Sequence, residues 1–432
     1  MKHYSIATLA ALLLGCSLQA RGPITPNDFK GSDTRRIQAA VDAAAGKGVN
    51  SVTIPRSNSN GTAVWMIDSA ILLPSGMTVI LDDCTMQLSD ECRDNMFRSN
   101  NVGAGITDPE WNKDISIIGT GKATIRGASN PRATGDGLRH LSLNPEPNYN
   151  KDRSSYGTDA GRPEMKQTSD WRGFLVLMAY VDGVTIKGLK VEYAHTWALT
   201  FEKVHNAHIS DLEIFCPQYR YVDGKRVHTF NNDGIDLREG CKYFWIENIN
   251  AVTGDDCIAL SALDMGPKYH GNGLLDSFQV TSCAHNGPED DIEYVYITNV
   301  HTNYAGVALR TSDSACIHHV FINGLTVSKN PQYTTPYKGS PYTLLVGNTG
   351  YGAAGGAYQI HDVYATNIVG DGRELILVKN PIKDCVFMNC IYYGQTAPWP
   401  ISYRKDCREK SRNVSEVNVI RQPSAADNSV PQ

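Results

Sequence analysis

The chain of 432 residues has little of several features that mark common protein classes. Its formal net charge is only −5, so its overall charge gives no reason to expect a nucleic-acid partner. It has no CxxC pair and no His-rich run that would suggest zinc. The acidic residues 289–291 fit a solvated turn better than a calcium site, so we expect no metal and no cofactor. Helical periodicity is nearly absent after residue 45. The lack of helical periodicity favours an all-β protein. A hydrophobic content of 41% is enough for a sizeable core.

Only the amino terminus carries a long apolar run, and it resembles an export signal over residues 1–20. Lys2 precedes the apolar residues 4–14, which are too few to span a bilayer as a stable anchor. Residues 13–16 resemble a bacterial lipobox, in which Cys16 would be lipidated; alternatively, an ordinary signal peptidase cleaves after Ala20. In both cases we expect an exported bacterial protein, in the periplasm or anchored to the outer membrane as a lipoprotein.

The remainder of the chain has the organisation of a solenoid. Residues 33–45 predict a helix, with Asp33 or Thr34 as its cap, that covers one end of the body. Beyond it, a β-branched strand, an Asn or Gly, and a second short strand recur. Some intervals are 23 and 25 residues, which is typical of solenoids, and others are longer, which implies loops inserted into a coil. A β-sandwich would give no reason for such an interval. The copies are Val184–Leu189, His208–Leu212, Phe244–Ile249, Val295–Val300, Val320–Leu325 and Val386–Ile391.

The domain boundaries follow from this repeat. We expect one all-β domain over residues 21–410, built as a parallel β-helix, and a polar tail over residues 411–432. Residues 128–170 break the rhythm because they are rich in Pro, Asn, Gly, Arg and Ser. This stretch is either an ordered loop over a binding face or a floppy insertion.

Two motifs about one coil apart carry the chemical information. They are NNDGID, at residues 231–236, and GDDCIAL, at residues 254–260. If the chain coils there, Asp233 lies one rung, roughly 5 Å, from Asp255 and Asp256. Three carboxylates at that distance cannot all ionise freely, so at least one should keep its proton near neutral pH. Gly254 makes the bend that brings both adjacent aspartates to one site inexpensive. The pattern therefore predicts acid/base hydrolysis.

These motifs resemble glycoside hydrolase family 28, the polygalacturonases and rhamnogalacturonases, whose pattern is Asn-Thr-Asp-Gly-x-Asp followed by Gly-Asp-Asp-Cys. The resemblance implies a right-handed parallel β-helix and inverting hydrolysis of a pectin-type or related polysaccharide. It also implies that Asp255 is the general acid, whereas Asp233 and Asp256 hold and deprotonate the water.

The chain departs from the family at two places that concern substrate binding. The family's Gly-His-Gly is missing, and His285 is the nearest candidate for its histidine. In place of Arg-Ile-Lys the chain has Ala308-Leu309-Arg310, with Arg310 at the lysine position. His195 and Arg238 are further substrate-binding candidates; the alternative for Arg238, which its position just past the first motif favours, is that it closes a turn.

Two other functions fit parts of the same sequence. A β-helix polysaccharide lyase would need calcium or a Lys or Arg base, and the GDDC motif argues against it. A glycan-binding surface lipoprotein would keep the fold without the chemistry. In all three cases we expect a monomer whose partner is a polysaccharide or oligosaccharide, with the membrane reached only through a lipid on Cys16.

Overall fold

The computed structural model describes residues 24–90, 92, 94–103, 106, 109–129, 173–194, 196–222, 224–228, 232–263, 287–311, 314–328, 341–347 and 355–422. Its helices are α1 (Asp33–Gly46) and α2 (Cys407–Lys410). Its strands are β1 (Ser51–Ile54), β2 (Val64–Ile67), β3 (Ile71–Leu73), β4 (Thr78–Asp82), β5 (Thr85–Leu88), β6 (Phe97–Ser99), β7 (Asn112–Thr120), β8 (Thr124–Arg126), β9 (Val176–Lys187), β10 (Lys190–Glu192), β11 (Leu199–Cys216), β12 (Tyr219–Val222), β13 (Lys225–His228), β14 (Ile235–Leu237), β15 (Lys242–Thr253), β16 (Asp256–Ala262), β17 (Ile292–Thr302), β18 (Ala305–Thr311), β19 (Ile317–Val327), β20 (Tyr342–Val346), β21 (Ile360–Gly370), β22 (Glu374–Val378), β23 (Lys383–Tyr392), β24 (Ile401–Tyr403) and β25 (Arg412–Arg421).

Helix α1 covers the first coil, as the sequence predicts. Its buried residues recur at helical spacing and join the core, which runs on through the whole body. The cap, however, is Ser32, whose Oγ accepts a hydrogen bond from the amide of Arg35 at 3.4 Å. Asp33 instead binds Arg36 at 3.3 Å and Asn58 at 3.1 Å. The predicted cap, Asp33 or Thr34, was therefore one or two residues too late. The Asp33 side chain does not cap the helix but ties it to the neighbouring loop at Asn58.

The strands stack in parallel columns, so the predicted all-β parallel β-helix is confirmed. Ile186 pairs with Ile209, and Ile297 pairs with Ile322, at the two intervals found in the sequence. One pair of described strands, β12 and β13, is antiparallel, and the other pairings of described strands are parallel. One column carries the site described below, and we call it the site sheet. It contains β3, β6, the first residues of β9 and β11, and then β14, β16, β18, β20, β22 and β24.

The Asn or Gly of each repeat has a conformational cause. Asn248, Asn299 and Asn367 adopt φ angles of 57°, 55° and 57°, in the left-handed region that Asn tolerates better than most residues. The side-chain amide Nδ2 of Asn299 also donates to Oδ1 of Asn248, on the preceding rung, at 2.9 Å. Each coil therefore turns at the same place, and the column of turns keeps the strands in register.

The last described rung corrects one domain boundary. The sequence predicts a polar tail from residue 411, but Arg412–Arg421 forms β25 and pairs in parallel with β23. Most of its side chains are exposed. An end rung has a neighbouring coil on one side only, so it can be polar and still belong to the sheet. Residues 423–432 of the predicted tail lie outside the described residues.

Two other predicted segments also lie outside the described residues, namely the signal at 1–20 and most of the 128–170 stretch. In the part of the chain that is described, no helix is long and apolar enough to cross a membrane.

Candidate active site

The three candidate aspartates lie on two adjacent rungs of the site sheet. Ile235 of β14 pairs with Ile258 of β16, and the amide of Gly234 donates to the Asp256 carbonyl oxygen at 3.0 Å. Asp233 and Asp256 are buried, with 6% and 1% of their surface exposed, whereas Asp255 is half-buried. Asp255 is therefore the one of the three that a substrate reaches most easily.

The turn before β16 is set by close packing at Gly254. A Cβ at this position would lie 2.7 Å from Gln218 Cα and 3.2 Å from Asn232 Cβ. Glycine is thus required because two other chain segments approach closely, and not because an unusual bend needs it. The same turn is fixed by Thr253, whose hydroxyl donates to the Asp255 carbonyl oxygen at 2.8 Å.

Arg310 and Tyr342 surround the carboxylate of Asp256. Arg310 Nη2 forms an ion pair with Asp256 Oδ2, and the Tyr342 hydroxyl donates to Asp256 Oδ1 at 2.7 Å. Arg310 Nη2 also donates to the Tyr342 hydroxyl at 2.9 Å. Both oxygens of Asp256 therefore face donors, Oδ2 the guanidinium of Arg310 and Oδ1 the hydroxyl of Tyr342.

Tyr342 reaches Asp256 because the residue on the rung between them, Ala305, has a small side chain. Asp256 pairs with Ala305, and the pairing of Val307 with Leu344 puts Tyr342 on the next rung after Ala305. Burial, the largest cause, raises the pKa of Tyr342 well above its usual value, so its hydroxyl stays protonated and able to donate. The neighbouring Asp256 raises that pKa further, while Arg310 opposes the shift.

Two other carboxyls of the site have raised pKa values. Burial raises the pKa of Asp233 well above its ordinary value, and the nearby Asp236, Asp255 and Asp256 add to the shift. Burial likewise raises the pKa of Asp236, against the opposing charge of Arg238. These directions support the expectation that a proton is retained among the clustered carboxylates near neutral pH.

Two of the four substrate-binding candidates, Arg310 and Arg238, are among the described residues. Arg310 lies against Asp256, inside the site. Arg238 is buried, with its guanidinium carbon 5.3 Å from the centre of the Trp197 ring, and contact of Arg238 with substrate stays a prediction. His195 and His285 lie outside the described residues.

Sequence reasoning missed Asp236 and Tyr342. Asp236 was visible as the last residue of NNDGID, and it lies inside strand β14, three residues after Asp233. Tyr342 begins the apolar run YTLLV, but its register with Asp256 depends on intervening stretches of unequal length, and no local motif marks it.

Comparison with known proteins finds one family model that matches part of the chain. The model of the family described as glycosyl hydrolases family 28 matches residues 152–267, a span that contains all three candidate aspartates. The resemblance to family 28 is therefore confirmed. No curated protein matches the chain.

Similar solved structures agree on the fold. An endo-xylogalacturonan hydrolase from Aspergillus tubingensis superposes with a TM-score of 0.56 at 12% identity, over 93% of both chains. A tailspike protein variant of E. coli bacteriophage HK620, in complex with a pentasaccharide, gives a TM-score of 0.58 at 10% identity, over 93% of this chain and 67% of that chain. At such identities the likeness shows the parallel β-helix, and the family match supports hydrolysis of glycosidic bonds.

Proposed function

We propose that the protein is an exported glycoside hydrolase that cleaves a pectin-type or related polysaccharide with inversion at the anomeric carbon. The observation that carries the proposal is the meeting of Asp233, Asp255 and Asp256 on two rungs, with Arg310 and Tyr342 engaging Asp256. Carboxyl groups clustered this closely share protons, and acid/base hydrolysis needs both a proton donor and a proton acceptor in one site.

The different environments of the three aspartates support a different catalytic role for each. Asp255, which is the most accessible, donates a proton to the leaving oxygen. Asp256, engaged by Arg310 and Tyr342, accepts the proton of the attacking water. Asp233, whose pKa is raised by burial and by its neighbours, positions that water by a hydrogen bond. The water lies beside the row of carboxylates, which reconciles inversion with acids about one rung apart; such a spacing alone would suggest retention.

The substrate class follows from the residues around Arg310, which differ from the family pattern. The resemblance implies that a basic pair grips an acidic sugar, but Arg310 here faces Asp256. Contact with a sugar carboxylate would therefore compete with that ion pair. A related polysaccharide is as consistent with the site as galacturonan itself.

Product analysis on a panel of plant and algal polysaccharides tests the proposal. The purified chain should release oligosaccharides whose mass shows addition of water, and the variant Asp255→Asn should not. Unsaturated products would instead identify a lyase, and binding without any product would identify a glycan-binding protein. Proton NMR of the first product formed decides between inversion and retention, and retention would overturn the assigned roles.

Export is proposed from the amino-terminal sequence. If Cys16 is lipidated, the bacterial protein should take up labelled fatty acid and fractionate with the outer membrane. The variant Cys16→Ser should lose both properties. Release of the unmodified protein into the periplasm would support ordinary signal cleavage.

A further inference from the structure

The site sheet continues well beyond the candidate aspartates. Tyr342 pairs with Glu374, and Ile376 pairs with Ile401. Trp399 precedes Ile401 by two residues, as Glu374 precedes Ile376, so Trp399 lies on the rung after Glu374. Asp256 and Trp399 are thus four rungs apart in one column, roughly 19 Å at the spacing of neighbouring strands.

A cavity of about 610 Å³ opens at this end of the site sheet. Trp399 lines it with 71% of its surface exposed, which leaves the indole open to a ligand. Tyr403 provides a second aromatic side chain, and the guanidinium carbon of Arg408 lies 5.4 Å from the centre of its ring. An aromatic face of this kind suits the apolar face of a sugar ring.

The cavity is positively charged although the protein as a whole is negative. Arg404 forms an ion pair with Glu374, so those two charges largely offset each other. Arg408 forms an ion pair with Glu416 at 3.6 Å; Glu416 does not line the cavity, and the Arg408 side chain is 66% exposed, so a ligand can still reach its guanidinium. Four cationic side chains meet two carboxylates in the lining: Arg373, Arg404, Lys405 and Arg408 against Glu374 and Glu409.

We propose that this cavity is a distal subsite for an acidic sugar unit of the substrate chain. Trp399 stacks on the ring, and Arg408 pairs with its carboxylate, for which a guanidinium is well suited. The inference rests on the proposed function, because the sugar chain must run along the site sheet to reach both places. A sugar unit is about as long as one rung is high, so the subsite takes a unit about four positions from the cleaved bond.

Calorimetry on the full chain carrying Asp255→Asn tests the subsite without turnover. The probes are a trimer and an octamer of galacturonate, an octamer of mannuronate, and a neutral octamer of glucose. An acidic octamer should bind more tightly than the trimer or the neutral octamer, because it reaches Trp399 and carries the charge that Arg408 recognises.

Substitutions at two positions separate the contribution of ring stacking from that of the charge. Adding Trp399→Ala should weaken binding of the acidic octamer roughly five- to tenfold, and Trp399→Phe should restore most of the loss. Arg408→Gln should weaken it about two- to fivefold and reduce its salt dependence. Tyr393→Ala and Arg412→Gln remove an exposed aromatic and an exposed cation outside the cavity, and should change nothing.

The outcomes distinguish this inference from the proposed function. If neither acidic octamer binds better than the trimer, or if Trp399→Ala binds like the parent, the subsite does not exist, even if the wild-type chain hydrolyses polysaccharide. Conversely, octamer binding that depends on Trp399 supports the subsite even if the wild-type chain hydrolyses no polysaccharide of the panel, a result that would refute the hydrolase.

Discussion

Replacing Tyr342 by phenylalanine tests the central contact of the site with the smallest available change. The substitution keeps the ring, which is buried beside Leu345 and Leu377, and removes only the hydroxyl. That hydroxyl donates to Asp256 at 2.7 Å and accepts from Arg310 at 2.9 Å. Its loss leaves Asp256 with one donor fewer and frees Arg310 to shift.

The expected magnitude follows from the energy of one buried hydrogen bond to a charged group. Such a bond contributes about 1.5–3 kcal/mol. If the contact is needed fully in the transition state, turnover falls roughly 10- to 150-fold, since about 1.4 kcal/mol corresponds to a factor of ten. The Michaelis constant should change little, because Tyr342 is buried and holds Asp256, not the substrate.

Initial rates of reducing-end release on the cleaved polysaccharide measure this effect. Tyr392→Phe is the matched control, because it also removes a buried hydroxyl, one that donates to the Arg373 carbonyl oxygen at 2.7 Å. The control should lower thermal stability but leave turnover intact. If Tyr342→Phe turns over as fast as wild type, the hydroxyl does not support Asp256 and the assignment of Asp256 as the base loses its main argument.

Three further predictions follow from the same geometry. Asp255→Asn should lose about 10²- to 10⁴-fold in rate on the natural substrate but recover partly on an aryl glycoside, whose leaving group needs less protonation; equal losses on both substrates would contradict its role as the acid. Burial raises the pKa of Asp236, so its protonated form stabilises the fold at acid pH, and this contribution is lost as the pH rises from about 4 through the raised pKa. Asp236→Asn should therefore raise the melting temperature near neutral pH but not near pH 4, and melts that shift equally at both values would refute this. Gly254→Ala should lower both activity and melting temperature, because its Cβ would meet Gln218 Cα at 2.7 Å; Gly46→Ala, with open space around its Cβ, is the neutral control, and equal behaviour of the two variants would contradict the packing argument.

The fold was predictable because its determinants are periodic. The same left-handed turn recurs on successive coils, so Asn248 and Asn299 mark positions that a single sequence reveals. The three aspartates were also predictable, because the coil between β14 and β16 has no inserted loop and its length converts sequence distance directly into rungs.

The environment of those aspartates was not predictable, for a physical reason. Arg310 and Tyr342 reach Asp256 from later coils, and residues 264–286 and 329–340 intervene before β17 and β20. Intervening stretches of such unequal length remove the fixed sequence interval on which register arguments depend. The sequence predicts that Arg310 contacts substrate, whereas the structure shows it paired with Asp256; whether it also touches a sugar stays a prediction.

The stacking of one residue per coil in the site sheet has an evolutionary consequence. Duplication or loss of a coil between β20 and β22 would move Trp399 by one rung relative to Asp256, about 4.8 Å, without separating Asp233 from Asp256. The catalytic neighbours belong to adjacent coils, and the distal contacts belong to later ones. Descendants of such a chain can therefore change the length of polymer they grip by altering coil number, while the bond-breaking chemistry is inherited unchanged.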